Sequence, residues 1–481
     1  MFVFLSVPVM RCWPQDDNGP QTSAEPKGSA SVAQQSADPS AEVDAPIAYE
    51  GKLDLASGLP PDHKTLLNLG LTLNQGIDVA PEFAVSPSYE AFSVTRMYGV
   101  LQLTKTNRRF ETNLDYKGGG IFHVNSSNDR FSNSYIQQCT ISENISGART
   151  GLLLEDAMFV APGGNFGAQA FGGSGALNSG SGGGTPVGTG GNLFGNNYFG
   201  GLGQGTNVTN IAVAQLTRAL SMRSSFQVSG GYTFSAYLGN SGLIDNRLAT
   251  IGASYSYKLS ARANVFVSYS RQEWQYPGSH NRKGAAGNAA NTVQLGYSRQ
   301  LTNRLTAGFN GGAQFIGLRN DAELIIGPVH IPITVKSNPV GATANAYLTY
   351  SLRQANLGVS YDHLVTGGSG YFAGSTSDIA QFSVSHPIGR DWVTSASSGF
   401  SRLSSLGNGS SGIVGNVYEY VFAGVAASRI IGQHFSLSAT YQFNDDGFSK
   451  TTCATSSTCG LGQQHVASLV FSWRTRPARV D

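Results

Sequence analysis

Charge is scarce in this sequence: Asp, Glu, Lys and Arg make up 12% of 481 residues, about half of what a water-facing globular surface carries. Long apolar runs are missing as well, and no stretch approaches the ~20 residues that a membrane helix requires. With a mean hydropathy of −0.13, a helical membrane protein is excluded. The formal net charge is only +2, and no basic cluster is interleaved with aromatics. That composition offers no field for a polyanion, and no nucleic-acid partner is expected. Catalytic signatures are absent too: there is no G-x-S-x-G elbow, no H-E-x-x-H helix and no C-x-x-C zinc pair. The eight histidines include His363 next to Asp362, but neighbours on a strand point to opposite faces and cannot act as an acid/base pair. No enzyme activity, metal or cofactor is expected.

What the chain does contain is glycine (61), tyrosine (20) and phenylalanine (25). These residues fall into a repeat. Short turns carrying Arg, Asn or Ser recur between Tyr-, Val- and Ala-rich runs: KTNRR (105–109), ISGAR (145–149), LSMRS (220–224), LSARA (259–263), LTNRL (301–305), LRQAN (352–356), IGRDW (388–392) and IGQHF (431–435). Eight tight turns predict eight hairpins, hence sixteen strands. Longer Gly/Ser/Asn-rich stretches, such as 275–291 and 365–378, join one hairpin to the next.

Within the runs, side chains alternate with a period of two. Leu305, Ala307, Phe309, Ala313 and Phe315 share one face. Phe226, Val228, Tyr232 and Phe234 do likewise, as do Phe435, Leu437, Ala439, Tyr441 and Phe443. The opposite face is small and hydrophilic each time. A soluble sandwich would carry many Lys and Glu residues there. Strands 207–219 and 416–429 alternate poorly, and their facing is not readable. Two further runs complete the set: TLLNLGLTLNQ (65–75) and QHVASLVFSWR (464–474). Adding both gives eighteen strands, an even number that places both termini on the side of the short turns.

These hairpins, the sorting of connections by length and the ending LVFSW resemble the large porin-like barrels of Gram-negative outer membranes. The resemblance implies an all-β fold: a transmembrane antiparallel up-and-down β-barrel of about 18 strands, or 16 without the two end runs. Short periplasmic turns and long external loops would connect them, and the barrel would span residues 63–474. It implies location in the bacterial outer membrane, with membrane lipids, the barrel assembly machinery and small hydrophilic solutes as partners. A homo-oligomer stays open. The expected activity is passive diffusion through a water-filled lumen. A polysaccharide export conduit and a plugged barrel with ligand-binding loops are the alternatives.

Parity assigns candidate pore-lining residues. In FETNLDYK (110–117), Glu111, Asp115 and Lys117 face water, and the same counting turns Arg96, Arg304 and Asp362 inward. Opposed charges across a pore are one route to solute selection. The most distinctive segment is 161–206, the third external loop, with 18 glycines and no charged residue in 46 positions. Its placement suits either a constriction folded into the lumen or an external surface. Residues 1–13 read as the remnant of a secretion signal, 14–62 as a disordered periplasmic linker and 475–481 as a C-terminal tail. Cys453 and Cys459 are a candidate disulfide, while Cys12 and Cys139 have no evident partner.

Overall fold

The computed structural model describes residues 64–81, 89–124, 134–162, 206–238, 245–277, 286–326, 329–352, 354–366, 374–389, 391–406, 417–448, 462–476 and 478–479. The first strands are β1 (Lys64–Pro81), β2 (Tyr89–Asn107), β3 (Phe110–Val124), β4 (Ser134–Ser146) and β5 (Thr150–Pro162). They are followed by β6 (Thr206–Ala219), β7 (Ser224–Leu238), β8 (Asn246–Ser260), β9 (Ala263–Tyr276) and β10 (Ala286–Thr302). Then come β11 (Leu305–Ile326), β12 (Val329–Ser337), β13 (Val340–Ser351), β14 (Asn356–Thr366) and β15 (Ser375–Ile388). The last are β16 (Trp392–Ser405), β17 (Val417–Ile431), β18 (Phe435–Phe448), β19 (Gly462–Arg474) and β20 (Ala478–Arg479).

All strand pairings are antiparallel and, apart from β12/β13 and β20, join sequence neighbours; β1 closes the ring by pairing with β2 on one edge and β19 on the other. β11 pairs with β12 over Leu318–Ile326 and with β13 over Leu305–Phe315. β12 and β13 are therefore two halves of one wall strand, interrupted at Asn338 and Pro339. Proline has no amide to donate and breaks the ladder there; its carbonyl still accepts from the Ile316 amide at 3.0 Å. The wall counts eighteen strands. Each of the eight turns expected from the sequence joins two of them. The outer hairpin β11–β12 was not legible, because the alternation that marks β11 was followed only to Phe315.

The seam does not stop at Trp473. The Thr475 amide donates to the Leu69 carbonyl at 2.8 Å, and the Leu69 amide returns a bond to Thr475 Oγ1 at 2.9 Å. Beyond them, Ala478 and Arg479 of β20 pair with Leu67 and Leu66. The tail thus covers the stretch of β1 that β19 is too short to reach, which removes an open edge.

The two faces of the wall are inverted relative to a soluble protein. Leu295 is 66% exposed and Phe309 59% on the outside, while Gln314 and Lys117 are fully buried inside. Leaving a large apolar side chain in water forgoes ~1.5–3 kcal/mol, so this belt belongs in lipid. At the periplasmic border the Phe435 and Phe471 rings stack at 5.6 Å, and the Arg429 guanidinium lies 5.6 Å from the centre of the Trp392 ring. Such aromatic and basic anchors suit the headgroup level.

The two strands with unreadable facing have apolar residues on both faces. β17 turns Tyr418, Tyr420 and Phe422 inward while Val421 and Val425 face out, and β6 turns Ile211 and Val213 inward while Leu216 faces out.

Gly389 and Gly432, in the turns before β16 and β18, both hold a φ of 71°. A Cβ at either position would meet nothing within 4 Å, so only backbone strain opposes a side chain. Gly432→Val is expected to cost about 1–2 kcal/mol. Urea unfolding of the barrel in micelles measures this, and an unchanged midpoint would contradict the left-handed assignment.

Candidate functional site

Charge is distributed unevenly around the lumen. The wall formed by β1 to β5 turns Asp78, Arg96, Glu111, Asp115, Lys117 and Glu155 inward. From β9 to β11 and from β15 to β17, no described inward side chain is charged. Those stretches carry Ser, Thr, Asn and Gln with scattered aromatics.

Near the external end, Arg96 Nη2 donates to Asp78 Oδ2 at 3.3 Å, with both side chains almost wholly buried. The register pairs Arg96 with Asn74, so the guanidinium crosses diagonally past Gly76 to reach Asp78. A Cβ at Gly76 would be in ordinary contact with Arg96 Nη1 at 3.5 Å; its tight neighbours are Ser468 Cβ at 3.1 Å and the Ala467 carbonyl oxygen at 3.2 Å. Among the described residues, Arg96 Nε and Nη1 and the second Asp78 oxygen have no hydrogen-bond partner. The pair lies beside an apolar collar of Phe92, Val94, Ile121 and Ile136. In such surroundings each charge depends on the other.

One level toward the periplasm, Lys117 Nζ sits 3.8 Å from the centre of the Tyr98 ring, a cation–π contact. Below it come Asp115, which faces Gln102 across the β2–β3 register, and then Glu111. Glu155 joins them from β5 and lies within Coulombic reach of Asp115. On the other side of the lumen, Asn310 Nδ2 donates to Asn345 Oδ1 at 3.1 Å, and Asn345 Nδ2 donates to Asp362 Oδ1 at 2.5 Å. This amide chain crosses three strands and ends on the one inward carboxylate of β14.

Parity therefore places Arg96, Glu111, Asp115, Lys117 and Asp362 on the lumen wall. Arg304 is a correction. It lies in the turn before β11 and is exposed, with its amide donating to Thr302 Oγ1 at 3.2 Å. Alternation holds only inside a strand, and β11 begins at Leu305. Cys453 and Cys459 lie outside the described residues, as do the bulk of the Gly-rich loop and residues 1–63. Cys139 is a second correction: it is buried on the outward face of β4 and is disulfide-bonded, with its partner outside the described residues. Two acidic lumen residues were missed. Continuing the β1 alternation through Thr72, Asn74 and Gly76 would have found Asp78. Glu155 follows three consecutive leucines, which hide the period.

Shielding differs along the axis. In the outer half, inward side chains are buried on every side of the ring, including Phe92, Trp274, Leu403, Tyr418 and Val466. Trp274 and Tyr276 belong to an apolar cluster that reaches from Leu248 across to Val365, with Leu406 packed against it. Gly374, whose φ is 92°, comes close to both strands of that wall: a Cβ there would stand 2.7 Å from Asn288 Nδ2 and 3.4 Å from the Tyr276 hydroxyl. Toward the periplasm on β3 to β7, by contrast, Glu111, Asp115, Glu155, Gln215 and Gln227 are half-buried. Along β3 to β7 the periplasmic half of the interior is an accessible vestibule; elsewhere at that level small polar side chains such as Asn264, Ser298, Ser438 and Ser472 are buried.

A closed ring of eighteen strands, apolar outside and hydrophilic within, satisfies every backbone group without an edge. The chain is a closed eighteen-strand antiparallel β-barrel of the transmembrane type. No protein-family model matches it, and no curated protein does. Among solved structures, it is similar to the closed form of the ferric-catecholate import receptor Fiu from Escherichia coli K12, at 9% identity and a TM-score of 0.41, covering 86% of this chain and 82% of that one. It is also similar to OccK9 (OpdG) of Pseudomonas aeruginosa, at 10% identity and a TM-score of 0.41, over 86% of this chain and 98% of the other. A third is OccAB3 of Acinetobacter baumannii, at 10% identity and a TM-score of 0.39, over 85% and 99%.

Proposed function

We propose that the barrel is a channel for passive diffusion of small hydrophilic solutes across the outer membrane. One observation carries this reading: the inward face is lined by hydroxyl and amide groups, with most of its charges, of both signs, gathered on the β1 to β5 wall. A barrel of 16 to 18 strands leaves an aqueous lumen unless something fills it. Polar groups on the lumen wall replace part of a solute's hydration shell, and the charged wall orients solutes that carry a dipole.

The packed outer half favours a second reading, a barrel that is closed at rest. Both readings are tested by reconstituting the protein in planar bilayers and in liposomes, with and without residues 163–205. Discrete conductance steps and sugar-driven liposome swelling in the intact chain support the open channel. Steps that emerge only in the shortened chain support a closed barrel. Silence in both forms, with the barrel folded, would sink the channel reading.

A further inference from the structure

We infer that Asp115, Glu155 and Thr140 form a cation-binding site on the vestibule wall, suited to a hydrated divalent metal ion or the ammonium group of a solute. All three face inward from adjacent strands. Thr140 of β4 is the direct register partner of Asp115 on one side and of Ala157 on the other. Glu155 lies two residues from Ala157 on the same face, so the carboxylates of β3 and β5 flank the hydroxyl of β4.

Two neighbouring carboxylates are not by themselves a site, and here the hydroxyl supplies the second observation. Thr140 is only 8% exposed, and its Oγ1 has no hydrogen-bond partner among the described residues. A buried hydroxyl without a partner costs free energy unless something meets it. Register sets this hydroxyl on the strand between the two acids, beside Asp115 and one row from Glu155.

The donor set defines the ligand class. Asp115, Glu155, Thr140 and, one row below, Ser142 present oxygen only, with no thiolate or imidazole among them. Hard cations and ammonium groups take such ligands; soft metals do not. The nearest built-in cation on this face is Lys117, one row above Asp115. Its ammonium lies over the Tyr98 ring at 3.8 Å, and the side chain of Arg96, higher still, reaches to Asp78. Glu111, one row further down past Asn113, adds negative charge on the periplasmic side. The site opens into the half-buried vestibule, so a cation reaches it without crossing the packed outer zone.

The test uses the full chain folded in detergent micelles at low salt, titrated by calorimetry with calcium chloride and, separately, with 1,4-diaminobutane. One saturable site per chain is expected. Asp115→Asn and Glu155→Gln should each weaken binding at least tenfold, Thr140→Val several-fold, and Glu143→Gln, which changes an outward carboxylate, not at all. Preference for calcium assigns the site to a metal ion, and preference for the diamine assigns it to a cationic solute. No saturable binding, or equal binding by the Asp115 and Glu155 variants, would overturn the assignment. Unheated gel mobility verifies that each variant is folded. Binding requires the lumen wall but not an open pore, so this result and the conductance result can fail independently.

Discussion

Asp78→Ala is expected to lower the stability of the folded barrel by about 3–5 kcal/mol, because it strands a buried guanidinium. Arg96 has one acidic partner in the described structure, at 3.3 Å, and its remaining donors lie beside the apolar collar. A charge left there has neither water nor a counter-ion to replace the lost carboxylate. Removing both charges should be far milder: Asp78→Leu combined with Arg96→Met is expected to recover most of the loss, since a pair of apolar side chains has no desolvation cost. Equilibrium unfolding in urea, followed by tryptophan fluorescence in micelles, measures all three variants. A loss below about 1 kcal/mol for Asp78→Ala would indicate that water reaches the pair and that the outer lumen is wet, because exposed pairs have that small value.

Leu295→Arg tests the inverted faces of the wall. Leu295 points outward from β10, seven residues above the strand's periplasmic end at Thr302, a height of roughly 18 Å for a strand tilted about 40°. An arginine at that depth in lipid is expected to cost about 2–4 kcal/mol, and at the interface about 0–1. Leu301→Arg, on the same face but next to the turn, is the matching control. Folding free energies in phospholipid vesicles should therefore differ by at least ~2 kcal/mol between the two sites. Equal costs would mean that this face is not embedded in hydrocarbon.

Much of the barrel was legible because its signals are local. A turn such as LSARA or IGQHF is a contiguous string, and the alternation of Phe435, Leu437, Ala439 and Tyr441 needs no knowledge of what lies beside it. Lipid on one side and water on the other impose that alternation strand by strand. Where both environments of a strand are apolar, as at β17 with Tyr418 and Tyr420 inside, the signal vanishes. Where a strand has not yet begun, as at Arg304, parity misplaces the residue.

The candidate sites were legible only in part. Local parity turned Arg96, Asp115, Lys117 and Asp362 inward, but it did not give Arg96 a partner. Asp78 becomes that partner through the register of β1 against β2, which sets the two residues on one diagonal of the lumen face. Asp115 and Glu155 come from different hairpins, forty residues apart in sequence, and meet across Thr140 only when β3, β4 and β5 stand side by side.

By itself, then, the sequence determined the number of strands, their hairpin order, the side on which β1 begins and β19 ends and the face that most residues take, because each follows from short-range periodicity and turn chemistry. Tertiary structure alone decided which charges are paired, which hydroxyl is left without a partner, that Cys139 is bonded, and that the outer half of the lumen is packed. These depend on strand register and on ring closure, which bring together residues far apart in the chain, and no local pattern encodes them.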